Sequence, residues 1–157
     1  MKKFHIIFLT LTIMIIPSIT FGNVIDKLNE TGKFTKLNET LMKSGLSENL
    51  KDKGPFTVFA PLDDAFAAIS AKTYYGLLRE ENKDKLVNIL GRHVFSKKIS
   101  SSEIAGEIKL KAINGEEITI KKVNDIVYIN EAEVVTADIE VSNGIIHYIN
   151  RVLQPLN

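Results

Sequence analysis

The sequence predicts a single α+β domain built on a mainly antiparallel sheet with helices packed around it. Three observations predict it. Apolar residues recur at helical spacing in the first half of the chain. The second half alternates apolar and polar residues with period two. Asn-Gly and Asn-Asp pairs separate the alternating runs. The 157 residues suit one ordinary domain, and 45% hydrophobic with 25% charged residues excludes a disordered chain.

The N-terminus stands apart. Lys2 and Lys3 precede an almost wholly apolar run, Phe4 to Ile16, and Pro17 to Gly22 form a turn-prone tail of mostly small residues. That is the layout of a secretory signal. Thr20 and Gly22 suit the −3 and −1 positions, so residues 1–22 are expected to be removed and 23–157 to form the domain. The chain has no Cys, which excludes a lipid-anchored form. The alternative is an uncleaved anchor: no Asp, Glu, Lys or Arg occurs among the 22 residues from Phe4 to Ile25, and about 20 apolar residues span a bilayer. Thr10, Thr12, Pro17, Ser18, Thr20 and Asn23 weaken that span. Either way the domain is expected outside the cytoplasm, secreted or periplasmic, with membrane contact only if the segment stays uncleaved.

Residues 1–22 hold two Lys and no acid, so Lys+Arg falls from 20 to 18 against 19 acids, a net charge of −1. Such a domain has no electrostatic footprint for nucleic acid. Without disulfides, about 135 residues must be held by core burial, and a domain of that size buries about two-thirds of its unfolded surface.

Along the domain, Val24, Ile25 and Leu28 begin a helical stripe that Gly32 interrupts. Phe34, Leu37 and Leu41 continue it at i, i+3, i+7, and Gly45 with Leu46 fits a Schellman-type end. Lys27-Leu28-Asn29-Glu30-Thr31 recurs as Lys36-Leu37-Asn38-Glu39-Thr40, two copies too few for a solenoid. After the Gly54-Pro55 turn, Phe56 to Ala60 reads as a strand that Pro61 stops. Asp63 or Asp64 is expected to cap a short helix carrying Ala65, Phe66 and Ile69. Tyr74 to Leu78 and Lys85 to Leu90 read as helices, the second burying Leu86, Ile89 and Leu90. His93 to Phe95 turns into a strand. Ser100 and Glu103 have capping-box spacing, which predicts a short helix over Ser101 to Ala105.

From Glu107 the period is two. Ile108, Leu110 and Ala112 alternate with charged residues, Asn114-Gly115 predicts a type I′ hairpin turn, and Ile118 and Ile120 lie on the return strand. Asn124-Asp125 is the next turn, followed by strands at Ile126 to Ile129 and Val134 to Ala137. Asn143-Gly144 then turns into a last, central strand, Ile145 to Leu153.

Two segments carry a resemblance. Gly54-Pro55-Phe56-Thr57-Val58-Phe59-Ala60-Pro61-Leu62-Asp63-Asp64-Ala65-Phe66 resembles the first signature segment of fasciclin-like domains. Asn143-Gly144-Ile145-Ile146-His147-Tyr148-Ile149-Asn150-Arg151-Val152-Leu153-Gln154-Pro155 resembles the second. Leu86 to Val94 looks like the family's central helix and Tyr-His pair, and Val134 to Ile139 like the approach to the second segment. The order matches across residues 24–155. The resemblance implies a β-wedge or sandwich with helices around it, in a single-domain secreted member of bacterial type. Its implied role is non-catalytic contact with a surface or matrix protein or glycan. Within the segments, Thr57, Phe59, Pro61, Asp63, Asp64, Phe66, Asn143, Gly144 and His147 read chiefly as fold determinants.

Two positions depart from the family pattern. Leu62 stands where Thr is usual, and Arg92 replaces the Tyr of the Tyr-His pair. In animal relatives that pair and the Asp-Ile before the second segment are linked to integrin binding. Asp138-Ile139 matches, Arg92 does not, and no Arg-Gly-Asp occurs. The expected contact region is Arg92, His93, Asp138 and Ile139.

No catalytic, cofactor or metal site is expected. The domain's two histidines, His93 and His147, lie in apolar runs and read as core residues bonded to backbone rather than as metal ligands. There is no nucleophile elbow, phosphate loop or dinucleotide fingerprint. Asp63-Asp64, Glu80-Glu81 and Glu116-Glu117 read as solvated surface. The competing reading is an extracytoplasmic carrier or sensor of a small apolar ligand, held where the sheet wedge opens.

Overall fold

The computed structural model describes residues 21–154, so nearly all of the expected signal segment lies outside the described residues. Three helices come first: α1 (Val24–Glu30), α2 (Thr35–Ser44) and α3 (Leu46–Asp52). Asn23 caps α1 with a capping box to Asp26. Gly45 ends α2 at φ 80° and Leu46 is buried, as the Schellman reading expects. The repeated pentapeptide has a local cause: Thr31 and Thr40 each donate a hydroxyl hydrogen bond to a carbonyl three residues back, Leu28 and Leu37.

The middle of the chain gives β1 (Phe56–Pro61), a 3₁₀ segment (Asp63–Ala68), α4 (Ala71–Leu77), α5 (Lys83–Gly91) and β2 (Val94–Phe95). After a 3₁₀ turn at Ser101–Glu103 come β3 (Glu107–Lys111), β4 (Glu117–Val123), β5 (Ile126–Ile129), β6 (Ala132–Val141) and β7 (Gly144–Ile149). The Ser100–Glu103 capping box forms. One seven-stranded sheet runs β2-β1-β7-β6-β5-β4-β3. Its two ends approach each other, with the Ile113 N–H donating to the Val94 carbonyl at 2.9 Å. All pairings are antiparallel except β1 with β7, which run parallel from Phe56↔Gly144 to Pro61↔Ile149. The two signature segments thus supply adjacent interior strands of the sheet.

Alternation along these two strands makes two cores. Phe56, Val58, Ala60, Ile146 and Tyr148 pack against the helices, where Phe34 meets Tyr148 edge to face. Phe59 and Ile149 pack into the wedge with Ile118, Ile120, Val127 and Ile129. Both faces of β1 and β7 are therefore buried, which explains their near-continuous apolar sequence.

Local details correct three expectations. Asp63 caps a different helix from the one expected. Its carboxylate accepts from the N–H groups of Thr35 at 3.2 Å and Lys36 at 2.9 Å, at the start of α2. There the preceding residue, Phe34, has no side-chain acceptor to offer. The Asp63–Ala68 segment has no side-chain cap, and Asp64 is exposed. The Asn114-Gly115 turn is not type I′: only Gly115 takes a positive φ, 87°. Asn114 instead spends its side chain on the Glu116 N–H and the Asn88 carbonyl. The paired positive φ angles fall at Asn124 (50°) and Asp125 (64°), between β4 and β5. Finally, the last strand ends at Ile149 rather than Leu153.

Candidate functional site

A hydrogen-bonded brace runs across one side of the sheet. The chain from Ser96 to Ser100 crosses between β2 and β3 without pairing as a strand. Four side chains hold it and the turn that follows. Thr57 of β1 donates its hydroxyl proton to the Lys97 carbonyl at 2.5 Å and accepts from the Ile99 N–H at 2.8 Å. His147 of β7 donates from Nε2 to the Ile99 carbonyl at 2.8 Å. Asp138 of β6 accepts from the Ser101 N–H at 2.7 Å and from the Ser101 hydroxyl. Lys122 of β4 reaches the Ser101 carbonyl at 3.4 Å. On the surface, Lys98 pairs with Glu140 at 2.6 Å.

Asp138 is unusual in its backbone as well. It has φ 61°, a left-handed conformation that costs a non-glycine residue energy. It lies where the β6–β7 register shifts, between Thr136 and Ile139. Its own N–H donates to His147 Nδ1 at 3.1 Å. His147 therefore accepts at one nitrogen and donates at the other, the neutral tautomer, and its ring stacks on Phe59 with centroids 5.0 Å apart. Burial first, opposed by its bonded partners, holds the imidazole below the usual histidine value. For the Asp138 carboxyl, partial burial pushes the pKa up. The two hydrogen bonds from Ser101 outweigh it, and the net shift is downward.

Arg92 and His93 sit elsewhere. They are only 5% and 2% exposed. Arg92 closes α5 and pairs with Glu116 at 2.6 Å. His93 donates from Nδ1 to the Ile89 carbonyl at 2.9 Å and accepts the Leu153 N–H at Nε2, also at 2.9 Å. Burial, aided by the Arg92 charge, lowers its pKa to about 4. Among the described residues no hydrogen bond or ion pair joins Arg92 or His93 to Asp138 or Ile139. Phe59 stands between, its N–H on the His93 carbonyl and its ring on His147. Of the four expected contact residues, Asp138 is exposed and Ile139 half-buried, while Arg92 and His93 present almost no surface. Along β6 Val135, Thr136 and Glu140 are also exposed, as is Lys98, which pairs with Glu140.

Sequence reasoning alone does not single out Ser101, Lys98, Glu140 or Val135. The adjacent Val134-Val135, which breaks strict alternation, is the one available signal. Nor does it foresee that Asn143 is a junction. Asn143 accepts from the Val24 N–H at 3.0 Å and donates to the carbonyls of Leu50 at 2.7 Å and Lys53 at 2.9 Å, tying α1 and α3 to the sheet.

A cavity of about 270 Å³ lies in the helical layer, between α2, α4, α5 and Val152, and not in the wedge.

Two cores divided by a parallel strand pair, with a braced crossing segment, define an α+β wedge domain. The family model described as the fasciclin domain matches residues 32–155, and the chain belongs to that family. It is 45% identical over 128 residues to Protein sll1483 of Synechocystis, covering 81% of this chain and 69% of that one. It is 36% identical over 134 residues to the transforming growth factor-beta-induced protein ig-h3 of Sus scrofa, but spans only 19% of that relative's length. Among solved structures, the FAS1 domain pair of the insect cell adhesion molecule fasciclin I superposes with TM-score 0.74 at 20% identity. That match covers 87% of this chain and 52% of the other, and it establishes the fold.

Proposed function

We propose that the chain is an exported, non-enzymatic adhesion module that meets a surface or matrix protein or glycan through the outer face of β6. The observation that carries this reading is Asp138: exposed, at positive φ, at a register shift, and braced to the crossing segment by Ser101. Strained residues persist where the surroundings over-determine them, and they cluster at functional sites. Strand irregularities likewise re-aim side chains next to such sites. The expected contact region narrows to Asp138, joined by Val135, Glu140 and Lys98, while Ile139 packs against the helix-side core. Arg92 and His93, buried and bonded elsewhere, drop out of that region. The fold neighbour's description as a cell adhesion molecule agrees with this reading. One site on one domain cannot join two surfaces, so adhesion needs oligomerisation, a retained anchor or a tethering partner.

The test is capture from surface and matrix extracts, with a glycan array alongside, comparing the full chain with Val135→Glu and Lys98→Glu. Capture that falls in both variants with unchanged melting supports the reading. Equal capture by all three proteins rules out this face.

The helical-layer cavity favours a second reading, a carrier of a small apolar ligand.

A further inference from the structure

We infer that this cavity takes an amphipathic anion, an aliphatic chain of about eight carbons ending in a carboxylate that lies at Lys85. The inference rests on the apolar-ligand reading and adds the head group and the size.

The walls demand an apolar body. Phe66, Ile69, Leu77, Leu86, Ile89 and Val152 supply most of them. The hydroxyl groups that also line the cavity are already engaged. Thr40 donates to the Leu37 carbonyl at 2.7 Å, Thr73 is bonded to Ser70 at 2.8 Å, and Tyr74 bonds the Glu39 carboxylate at 2.6 Å. A polar guest would lose its water without gaining a partner, which is unfavourable. An alkyl chain loses nothing and buries its surface.

The rim demands an anion. Among the described residues Lys85 is the one charged side chain lining the cavity, and it lies exposed in the first turn of α5. It makes no ion pair among the described residues. Gln154 adds an amide on the lining. A carboxylate at Lys85 would meet the ammonium while its chain stays inside. The volume sets the length. At about 30 Å³ per water-sized group, 270 Å³ holds about nine such groups.

Calorimetric titration of the purified protein with octanoate, 1-octanol and octyltrimethylammonium tests this. Saturable octanoate binding is expected, with octanol about fivefold weaker, the scale of one exposed ion pair, and the ammonium weaker still. Lys85→Gln should lower octanoate to the level of octanol without moving the melting temperature. Octanoate should shift methyl resonances of Leu77, Ile89 and Val152 in the unaltered protein, a readout that needs no variant. Equal affinity for octanoate and octanol overturns the head-group assignment and leaves the apolar-ligand reading standing. No saturable binding of either overturns both. Methyl shifts confined to other parts of the molecule overturn the site.

Discussion

β6 and β7 lie side by side in one sheet and are built to opposite ends. β7 has six residues, all buried, and its ladder with β1 runs without interruption. β6 has ten residues, two register shifts against β7, and exposed side chains at Val135, Thr136, Asp138 and Glu140. The same ladder thus joins a strand that determines the fold to a strand that displays side chains. Rigidity is common to both, but its source differs. β7 is held by close packing, whereas the outer part of β6 is held by a few hydrogen bonds through His147, Asp138 and Ser101. Changes in β7 should therefore be felt as stability. Changes on the outer face of β6 should be felt as binding.

The sharpest way to break this division is Gly144. A Cβ there would lie 1.9 Å from the Phe56 carbonyl oxygen, inside the β1–β7 ladder. The contact is with backbone, so no side-chain rotation relieves it. Gly144→Ala should cost about 4 kcal/mol or more, the range reserved for gross steric conflicts, read by chemical denaturation or as loss of soluble protein. Asn143→Ala should follow closely. It strands the Val24 N–H and the Leu50 carbonyl, both part-buried, while the exposed Lys53 carbonyl turns to water, at about 1–3 kcal/mol for each group left truly unsatisfied.

The next effect is a pH dependence centred on His93. Its folded pKa, about 4, lies below the unfolded value of 6.5. The unfolded chain therefore takes up the proton first as pH falls. The stability contribution is complete above about pH 6.5 and is lost progressively down to about pH 4, by about 3 kcal/mol. His147 acts in the same direction. Denaturation midpoints measured between about pH 7 and pH 4 should fall, and His93→Gln should flatten much of the slope. A flat profile in the unaltered protein would contradict the buried neutral imidazole. Asp138 shares this sign but acts in a more acid window. Its carboxyl is held below 3.8, so its contribution is present above that value and vanishes only at more acid pH.

How far these features could be read from residues alone follows the same division. The first helices and the Ser100 capping box were legible because their causes are local: Phe34, Leu37 and Leu41 fall on one face, and Ser100 and Glu103 stand three apart. The parallel pairing of β1 with β7 was not, because period two says that a strand is buried and not which strand lies beside it. Asp63 caps a helix 28 positions away, a match that only the fold creates. The positive φ of Asp138 is likewise imposed from outside, by Ser101 and His147. The cavity has no sequence signal at all, since Ile69, Leu77 and Ile89 look like ordinary core positions.

Asp138 separates brace from display. Asp138→Asn keeps a residue that tolerates left-handed backbone but removes the charge that Ser101 faces. It should cost about 1 kcal/mol and raise amide exchange at Ser101. Asp138→Gly removes the strain and both side-chain bonds. Exchange at Ser101 should then rise further, even where global stability is partly restored by the relaxed backbone. If Ser101 exchange is unchanged in both, the crossing segment is held by Thr57 and His147 alone.

The smallest stability effect belongs to the outermost residues, and it is the one that speaks to function. Val135 is 47% exposed, so its loss leaves no sealed void. Lys98 and Glu140 form a surface pair with both partners about half exposed, and such pairs contribute between nothing and about 1 kcal/mol. Val135→Glu and Lys98→Glu should each leave stability within about 0.5 kcal/mol, measured by the same denaturation series that registers Gly144→Ala. The Lys98→Glu change sets a second acid opposite Glu140, so any loss it shows should shrink as salt is raised. A stability loss comparable with that of Asn143→Ala would mean that β6 is packed like β7, and the contrast between the two strands would fail. Unchanged folding combined with lost partner capture is the result that only a display strand gives.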